Sequence, residues 1–305
     1  MICDTHKFGI PSNFSSNSCT QNFQALLQTP NVPMSTAAQE DSSPTGAYVK
    51  SLYKDHSQNY AGEKEKGWRV DMERYSTLKW AGDLTGKRVL DLGSGTGVYS
   101  RLMAQLGARE VIGVDVSEDM CALATAQSTA TNSPVSFREG NCMSLESMKE
   151  VLPGEEGAFD VVLLSCLLCN CRCVEEVEGL AEVISYFLNK ETGVFAGMDH
   201  HPEEEDYPEM MFVDPFGYSK TFTDRHVDGS ELMVKLYGLG EDGSVVMPIK
   251  NYHYSQKCLE ERFGKFGLSL SCPPLEVDPH ADQKTYAVMV ENPSFVILTG
   301  RHQRH

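Results

Sequence analysis

Arg88-Val89-Leu90-Asp91-Leu92 runs directly into Gly93-Ser94-Gly95-Thr96-Gly97. The first five residues form a short β-rich run. The next five place glycine at every second position, where bare main chain lets a ligand approach backbone groups closely. Val98, Leu102, Met103 and Leu106 then recur at helical spacing, and Gly107 closes that helix. Strand, glycine bend and helix in this order read as the opening unit of an open α/β sheet, whose ligands sit at the carboxyl ends of the strands.

The same rhythm extends outward. Val111–Asp115, Val135–Arg138, Phe159–Leu164 and Gly193–Met198 read as strands. Between them, Ser117 is placed to cap a helix whose first turn carries Glu118 and Asp119, and Val174, Val177, Ala181, Ile184 and Leu188 mark another helix. Alternating strands and helices predict a parallel sheet with helices on both faces. Upstream, Trp68, Met72, Tyr75 and Leu78 share one helical face. After His201 the rhythm stops, and acidic, aromatic and glycine-rich text follows. Leu259, Phe263 and Phe266 resume a helix before Gly267, and Leu268–Cys272 and Phe295–Thr299 supply two last strands. The expected layout is a disordered tail at 1–45, where Ser, Thr, Asn, Gln and Pro cannot bury enough surface to offset ordering entropy. An N-terminal helical cap follows at 46–86, then a ligand-binding core at 87–201, an insertion or lid at 202–256, and the end of the core at 257–305.

Composition narrows the function classes. The 305 residues hold 26 Lys and Arg against 43 Asp and Glu, a formal charge of −17. That balance argues against broad contact with nucleic acid or anionic lipid, which needs a basic face. No run approaches the roughly 20 apolar residues that cross a bilayer. The start of the chain does not read as a secretory signal, so the 10 cysteines are expected as reduced thiols and the expected location is cytoplasmic. The Ser/Thr/Asn-rich, acid-poor start leaves organelle targeting as the alternative.

Two cofactor families use a glycine bend after a strand. A dinucleotide fingerprint is G-x-G-x-x-G/A, which requires a small residue at position 98. Val98 stands there, so a nicotinamide dehydrogenase is disfavoured. The pattern present is D-x-G-x-G-x-G, from Asp91 to Gly97. Val89–Gly97 resembles the first motif of class I S-adenosylmethionine (SAM)-dependent methyltransferases of the small-molecule type. Val111–Asp115 is similar to their second strand, which ends in an acid, Phe159–Leu164 to their fourth, and Asn292-Pro293-Ser294-Phe295 to the entry of their last strand. The resemblance implies a Rossmann-like sheet of seven strands, the last antiparallel, with SAM as cofactor. It implies that Asp91 orients the methionine amino end and that Gly93, Ser94, Gly95 and Gly97 offer backbone to the cofactor. It further implies that Asp115 accepts the ribose hydroxyls and that Val116 and Met120 flank the adenine. Asn141 and Cys142 stand where the family often has an acid and a small residue, an amide oxygen remaining able to accept the adenine amino group. Ser165 faces the methyl group's surroundings, and Tyr53 and Tyr60 resemble the tyrosines that close over SAM.

Methyl transfer asks little of a protein beyond alignment and exclusion of water. A base is needed only when the acceptor must lose a proton. Asp199, His200 and His201 at the end of the fifth strand, and His253 in the insertion, are the candidate bases. Tyr207, Met210, Met211, Phe212, Phe216, Tyr218 and Tyr252 are candidate walls of an acceptor pocket, and Arg69 or Arg225 could pair with an acceptor carboxylate. Cys166, Cys169, Cys171 and Cys173 do not have the two-pair spacing of a zinc module, and Glu203–Asp206 reads as a solvated loop, so no metal is expected. The function expected is methyl transfer to a small molecule: S-methylation of a small sulfur-containing acid, as in dimethylsulfoniopropionate synthesis, or N- or O-methylation. The alternative from another class is a SAM-binding regulatory or assembly protein without catalysis.

Overall fold

Arg88–Leu92 becomes strand β1, and the expected strands follow it as β2 (Glu110–Asp115), β3 (Val135–Glu139), β4 (Val161–Leu163) and β5 (Val194–His200). The computed structural model describes Tyr48 and residues 66–304, apart from 131–132, 205–206, 209–210 and 239–245. β1 to β5 pair in parallel, and β9 (Phe295–Gly300) joins β5 antiparallel, in the order β3-β2-β1-β4-β5-β9. The strand order reverses between β1 and β4. Chains leaving these two strands turn to opposite faces of the sheet and leave a crevice at their carboxyl ends. The glycine bend stands at that point.

Helices α2 (Val98–Gln105), α3 (Glu118–Ala130), α4 (Leu145–Val151) and α5 (Val174–Phe187) alternate with these strands. Ser117 Oγ accepts from Met120 N at 3.4 Å, as expected of the cap of α3. Leu90, Leu92, Ile112, Val114 and Val162 share a cluster with Val177, Ala181 and Ile184 of α5, whereas Val89, Val111 and Val161 share one with Tyr99 and Met103 of α2. The near-continuous apolar strands are thus buried on both faces, as a parallel sheet requires.

Six strands, not seven, pair in the main sheet among the described residues. Leu268–Cys272 does approach the sheet, beyond β9. Leu268, Ser271 and Pro274 make isolated antiparallel bridges to His302, Thr299 and Val296. Pro273 and Pro274 carry no N–H, so the ladder is interrupted before a strand can form.

The predicted upstream helix opens as a π-helical segment, Arg69–Arg74, and continues as α1, Tyr75–Ala81. Trp68 anchors it. The indole stacks on Phe295 at 5.6 Å, packs against Tyr218 and Phe216, and donates from Nε1 to the Phe216 carbonyl at 2.9 Å. Within 202–256, strands β6 (Tyr218–Phe222), β7 (Ser230–Tyr237) and β8 (Val246–His253) form a separate antiparallel sheet. Its register puts Tyr218, Lys220 and Phe222 on the same face as Leu232, Val234, Leu236, Ile249, Asn251 and His253. The apolar members of that face pack with Met198 of β5 and with Phe295 and Ile297 of β9. A 3₁₀ turn (Leu168–Asn170) and helices α6 (Gln256–Gly264) and α7 (Ala287–Glu291) complete the described elements. No helix among the described residues is long and apolar enough to cross a membrane.

Gly93, Gly95 and Gly97 all hold left-handed backbone, with φ of 68°, 52° and 75°. A Cβ at Gly97 would lie 2.4 Å from Phe137 Cζ, whereas one at Gly95 would meet nothing within 4 Å. Gly95→Ala is therefore expected to cost only the left-handed penalty, about 1–2 kcal/mol. Gly97→Ala adds steric overlap and is expected to cost about 3 kcal/mol or more. Urea denaturation of both variants reads the difference directly; equal losses would place the cost in the backbone alone.

Candidate active site

The bend folds back on β2. Gly93 N and Ser94 N both donate to the Val114 carbonyl, at 2.8 and 3.0 Å, and Gly97 N donates to Ser94 O at 2.9 Å. Gly95 N donates to Asp115 Oδ2 at 2.8 Å, and Ser117 N to Asp115 Oδ1 at 2.9 Å. The expectation that the bend offers its backbone to a cofactor is narrowed by these bonds. Its N–H groups at 93, 94, 95 and 97 are already committed, and the carbonyls of Gly93 and Gly95 accept from no described residue. The bend therefore presents acceptors, suited to an ammonium group rather than to a phosphate. Asp91, the penultimate residue of β1, is buried, with Oδ2 accepting from Ser100 Oγ at 2.5 Å.

The neighbouring positions fill out a cradle for a nucleoside. Asp115 closes β2, its Oδ2 accepting from Gly95 N and its Oδ1 from Ser117 N. Val116 is half-buried and Met120 fully buried beside it. Asn141 Oδ1 accepts from Met143 N at 2.9 Å, a local turn bond that leaves its second lone pair; Cys142 is buried against the Val114 carbonyl. Ser94 Oγ is buried and has no partner among the described residues. Open space at Gly95, an orphaned hydroxyl, two carbonyl acceptors and a diol-sized carboxylate match a sulfonium nucleoside with an amino acid end. The residues present fit SAM. Tyr53 and Tyr60 lie outside the described residues, as does Met210.

A second polar group stands over the ends of β4 and β5. Arg69 Nη1 pairs with Glu73 Oε2 at 2.6 Å, both side chains being almost fully buried, and Ser165 Oγ donates to Glu73 Oε1 at 3.0 Å. Arg69 also lies over the Trp68 ring at 4.3 Å. Arg69 is thus already engaged by a carboxylate of its own chain. Asp199 is buried; His200 N donates to its Oδ1 at 2.8 Å and Cys169 N to its Oδ2 at 3.2 Å. Burial pushes its carboxyl up to about 6, against those two N–H bonds. His200 stacks on Phe295 at 5.2 Å and places Nε2 3.1 Å from Asn251 Oδ1. Burial, with the Lys220 charge behind it, holds its imidazole well below the usual range. His201 Nδ1 accepts from Glu203 N at 3.0 Å, tying that ring to its own loop. His253 is buried at the end of β8, edge-on to Phe222 at 5.3 Å, and burial lowers its imidazole too.

The aromatic residues expected to wall an acceptor pocket divide. Phe212, Phe216 and Tyr218 are buried in the cluster around Trp68, where they fasten the insertion to the core. Tyr207 and Met211 are half-buried at its margin, Tyr207 edge-on to Phe212 at 5.5 Å. Tyr252 stands on the opposite face of β8, in register with Glu231. Arg225 Nη1 donates to the Glu204 carbonyl at 2.7 Å. The four clustered cysteines are free; Cys169 and Cys171 are buried, Cys166 is half-buried and Cys173 exposed. No metal-holding group of three or more His, Cys, Asp or Glu occurs among the described residues.

Sequence reasoning missed Glu73, Asn170, Lys220 and Asn251. Glu73 had one signal, its position four residues after Arg69. Lys220 had none: its ammonium is buried between Glu204 Oε2, 2.8 Å away, the Ser294 carbonyl and the Phe295 ring.

Residues 89–189 match the family described as "Methyltransferase domain". Among curated proteins, this chain is 39% identical to a demethylmenaquinone methyltransferase of Lactococcus lactis over 33% of its own length and 38% of that protein. It is also 39% identical to a ubiquinone biosynthesis O-methyltransferase of Pseudomonas aeruginosa, again over 33% and 38% of the two chains. The chain therefore spans less than two fifths of the length of these relatives. The fold is similar to that of magnesium protoporphyrin IX methyltransferase from Synechocystis PCC 6803 with bound SAM. There the TM-score is 0.52 and the identity 15%, covering 88% of this chain and 100% of that one.

The raised carboxyl of Asp199 has a consequence for stability. Its proton is held more tightly in the folded chain than in the unfolded one, so this contribution is full below about pH 4 and is lost as pH rises through about 6. Between about pH 4 and 7 the wild type is expected to lose about 2–3 kcal/mol relative to Asp199→Asn, which has no carboxyl to titrate. Urea denaturation across that range tests it; a pH-independent difference would mean an ordinary carboxyl.

Proposed function

We propose, from a chain whose residues 89–189 match a methyltransferase domain, that this protein is an enzyme moving the methyl group of SAM to a small-molecule acceptor. The observation that carries the reading is the left-handed glycine bend at the reversal of strand order, bonded through Gly95 N to the acid that ends β2. SAM, when bound, supplies an electrophilic methyl group. The chain's own residues supply the rest. Asp115 accepts the ribose diol, the Gly93 and Gly95 carbonyls and Asp91 receive the ammonium end, and Met120 and Val116 cover the base. The insertion sheet and the Trp68 helix enclose the ends of β4 and β5 and exclude water from the transfer.

Two finer readings divide on the acceptor atom. S-methylation of a small sulfur-containing acid would rest on aromatic residues of the insertion sheltering a cation. Phe212, Phe216 and Tyr218 are instead consumed by packing, and Arg69 by Glu73, which removes the support for that reading. Methylation of a hydroxyl is better supported, by a buried imidazole free to accept a proton and by likeness to a relative named as an O-methyltransferase.

Calorimetry with SAM, followed by turnover of a metabolite pool with methyl-labelled SAM, tests the reading. Wild type is expected to bind SAM and label a small product. Asp115→Ala is expected to weaken SAM by about 1–3 kcal/mol. Binding without any labelled product would favour a regulatory SAM-binding protein, and unaltered affinity in Asp115→Ala would remove the assigned site.

A further inference from the structure

We infer that the Cys166 carbonyl, Asn170 and Asn251 fix His200 as the proton acceptor of the transfer, so that the methylated atom bears a proton, as a hydroxyl does. This rests on the methyltransferase reading above and narrows its substrate class.

One chain of hydrogen bonds orients the His200 ring. Asn170 Nδ2 donates to the Cys166 carbonyl at 2.9 Å. A carbonyl only accepts, so this bond sets which way the Asn170 amide faces, and turns its Oδ1 toward Asn251 Nδ2, 3.5 Å away. The Asn251 amide is oriented in turn, and its Oδ1 faces His200 Nε2 at 3.1 Å. An amide oxygen cannot donate. The ring proton therefore sits on Nε2, and Nδ1 carries a lone pair. Nδ1 is buried and has no partner among the described residues. A buried acceptor without a donor is uncommon in native structures and calls for an explanation, often functional. Of the other candidate bases, Asp199 takes a backbone N–H on each oxygen, His201 Nδ1 accepts Glu203 N, and the His253 ring is hydrogen-bonded to the Arg225 backbone.

The ring plane is held by Phe295, with an interplanar angle of 27°. The charged and titratable groups that face it are Asp199 on its own strand, Lys220 from β6, His253 from β8 and Arg69 from the π-helical segment. Burial and the two cations keep the imidazole neutral through the physiological range, so the base form is present without a partner carboxylate. In the transfer, the acceptor O–H bond breaks and its proton goes to His200 Nδ1. The oxygen's electron pair forms the new O–CH₃ bond, and the S–CH₃ pair leaves with sulfur, which becomes a neutral thioether. The imidazolium, a poor guest beside Lys220 and Arg69, then releases its proton to solvent. A thioether acceptor has no proton to give and would leave Nδ1 unpaired.

The test uses the full chain labelled with ¹⁵N-histidine. Ring nitrogen shifts from pH 5 to 9 are expected to show His200 neutral, protonated at Nε2 and bare at Nδ1; a protonated Nδ1, or an ordinary titration near neutrality, overturns the inference. Turnover is then read with methyl-labelled SAM on catechol and on methylthiopropionate. Label on the catechol oxygen, with kcat falling about 10²-fold or more in His200→Ala at unchanged KM for SAM, supports it. Asn251→Asp keeps an acceptor beside Nε2 but adds a negative charge, so it is expected to retain kcat at high pH and shift the acid limb upward. Asn251→Leu is expected to lose kcat at every pH. A merely structural role for Asn251 would not separate the two variants. Label on sulfur, or SAM binding with neither probe methylated, overturns the inference and leaves the methyltransferase reading standing. Failure to bind SAM in calorimetry removes that reading itself, while the ring tautomer is read without SAM.

Discussion

One constraint organises this molecule: five residues of main chain must turn from β1 into α2 through left-handed conformations at Gly93, Gly95 and Gly97, against the end of β2. The Val114 carbonyl takes two N–H groups of the bend and Asp115 takes a third. That pairing settles the bend's electrostatics. Once the amides are committed inward, the exposed dipoles are carbonyls, and the crevice favours a cationic amino acid end over a phosphate. Asp115 stands at the centre of the arrangement, because one of its oxygens braces the bend at Gly95 and the other takes Ser117 N ahead of α3.

The opposite half of the crevice is built by packing rather than by a motif. Trp68 gathers Phe216, Tyr218 and Phe295 around one indole, joining the upstream helix, the insertion and the last strand. Beside that cluster lie two buried ion pairs, Arg69–Glu73 and Lys220–Glu204. Buried pairs gain little over apolar packing, but separating one leaves an uncompensated charge in the interior, at a cost of about 3–5 kcal/mol. Each pair is tied to the core by a further bond: Ser165, just after β4, donates to Glu73, and Ser294, just before β9, donates to Glu204 and accepts from Lys220. Burial, with these cations beside it, holds the His200 imidazole well below its usual range.

Much of the core was legible because local chemistry decides it. Asp91 and Asp115 stand at the ends of apolar strands, Ser117 caps a helix, and glycines mark the turn between them; each signal lies within a few residues of the feature it specifies. The insertion was not legible in this way. Phe212, Phe216 and Tyr218 look like pocket walls in a one-dimensional reading because large aromatic residues serve pockets and cores equally. Their burial against Trp68, about 150 residues away in the chain, assigns them to the core. Leu268–Cys272 carries a strand's apolar pattern, yet the two prolines that follow remove the donors that would extend its ladder. The burial of Glu73 and Lys220 was not legible, since charged residues are mostly exposed, and what buries them, Ser165 beside Glu73 and Ser294 and Phe295 beside Lys220, lies far along the chain.

The amino-acid sequence by itself determined the strand–bend–helix unit and the parallel sheet, because those depend on residue type at short spacing: glycine where φ is positive, acids at strand ends, apolar runs where both faces are covered. Only the tertiary structure decided that His200 Nδ1 is buried without a partner among the described residues, that Arg69 and Arg225 are both engaged, and which aromatic residues are core. Those outcomes turn on hydrogen bonds and burial between segments such as Asn170, Asn251 and His200. Residues tens of positions apart meet only after the chain has closed on itself.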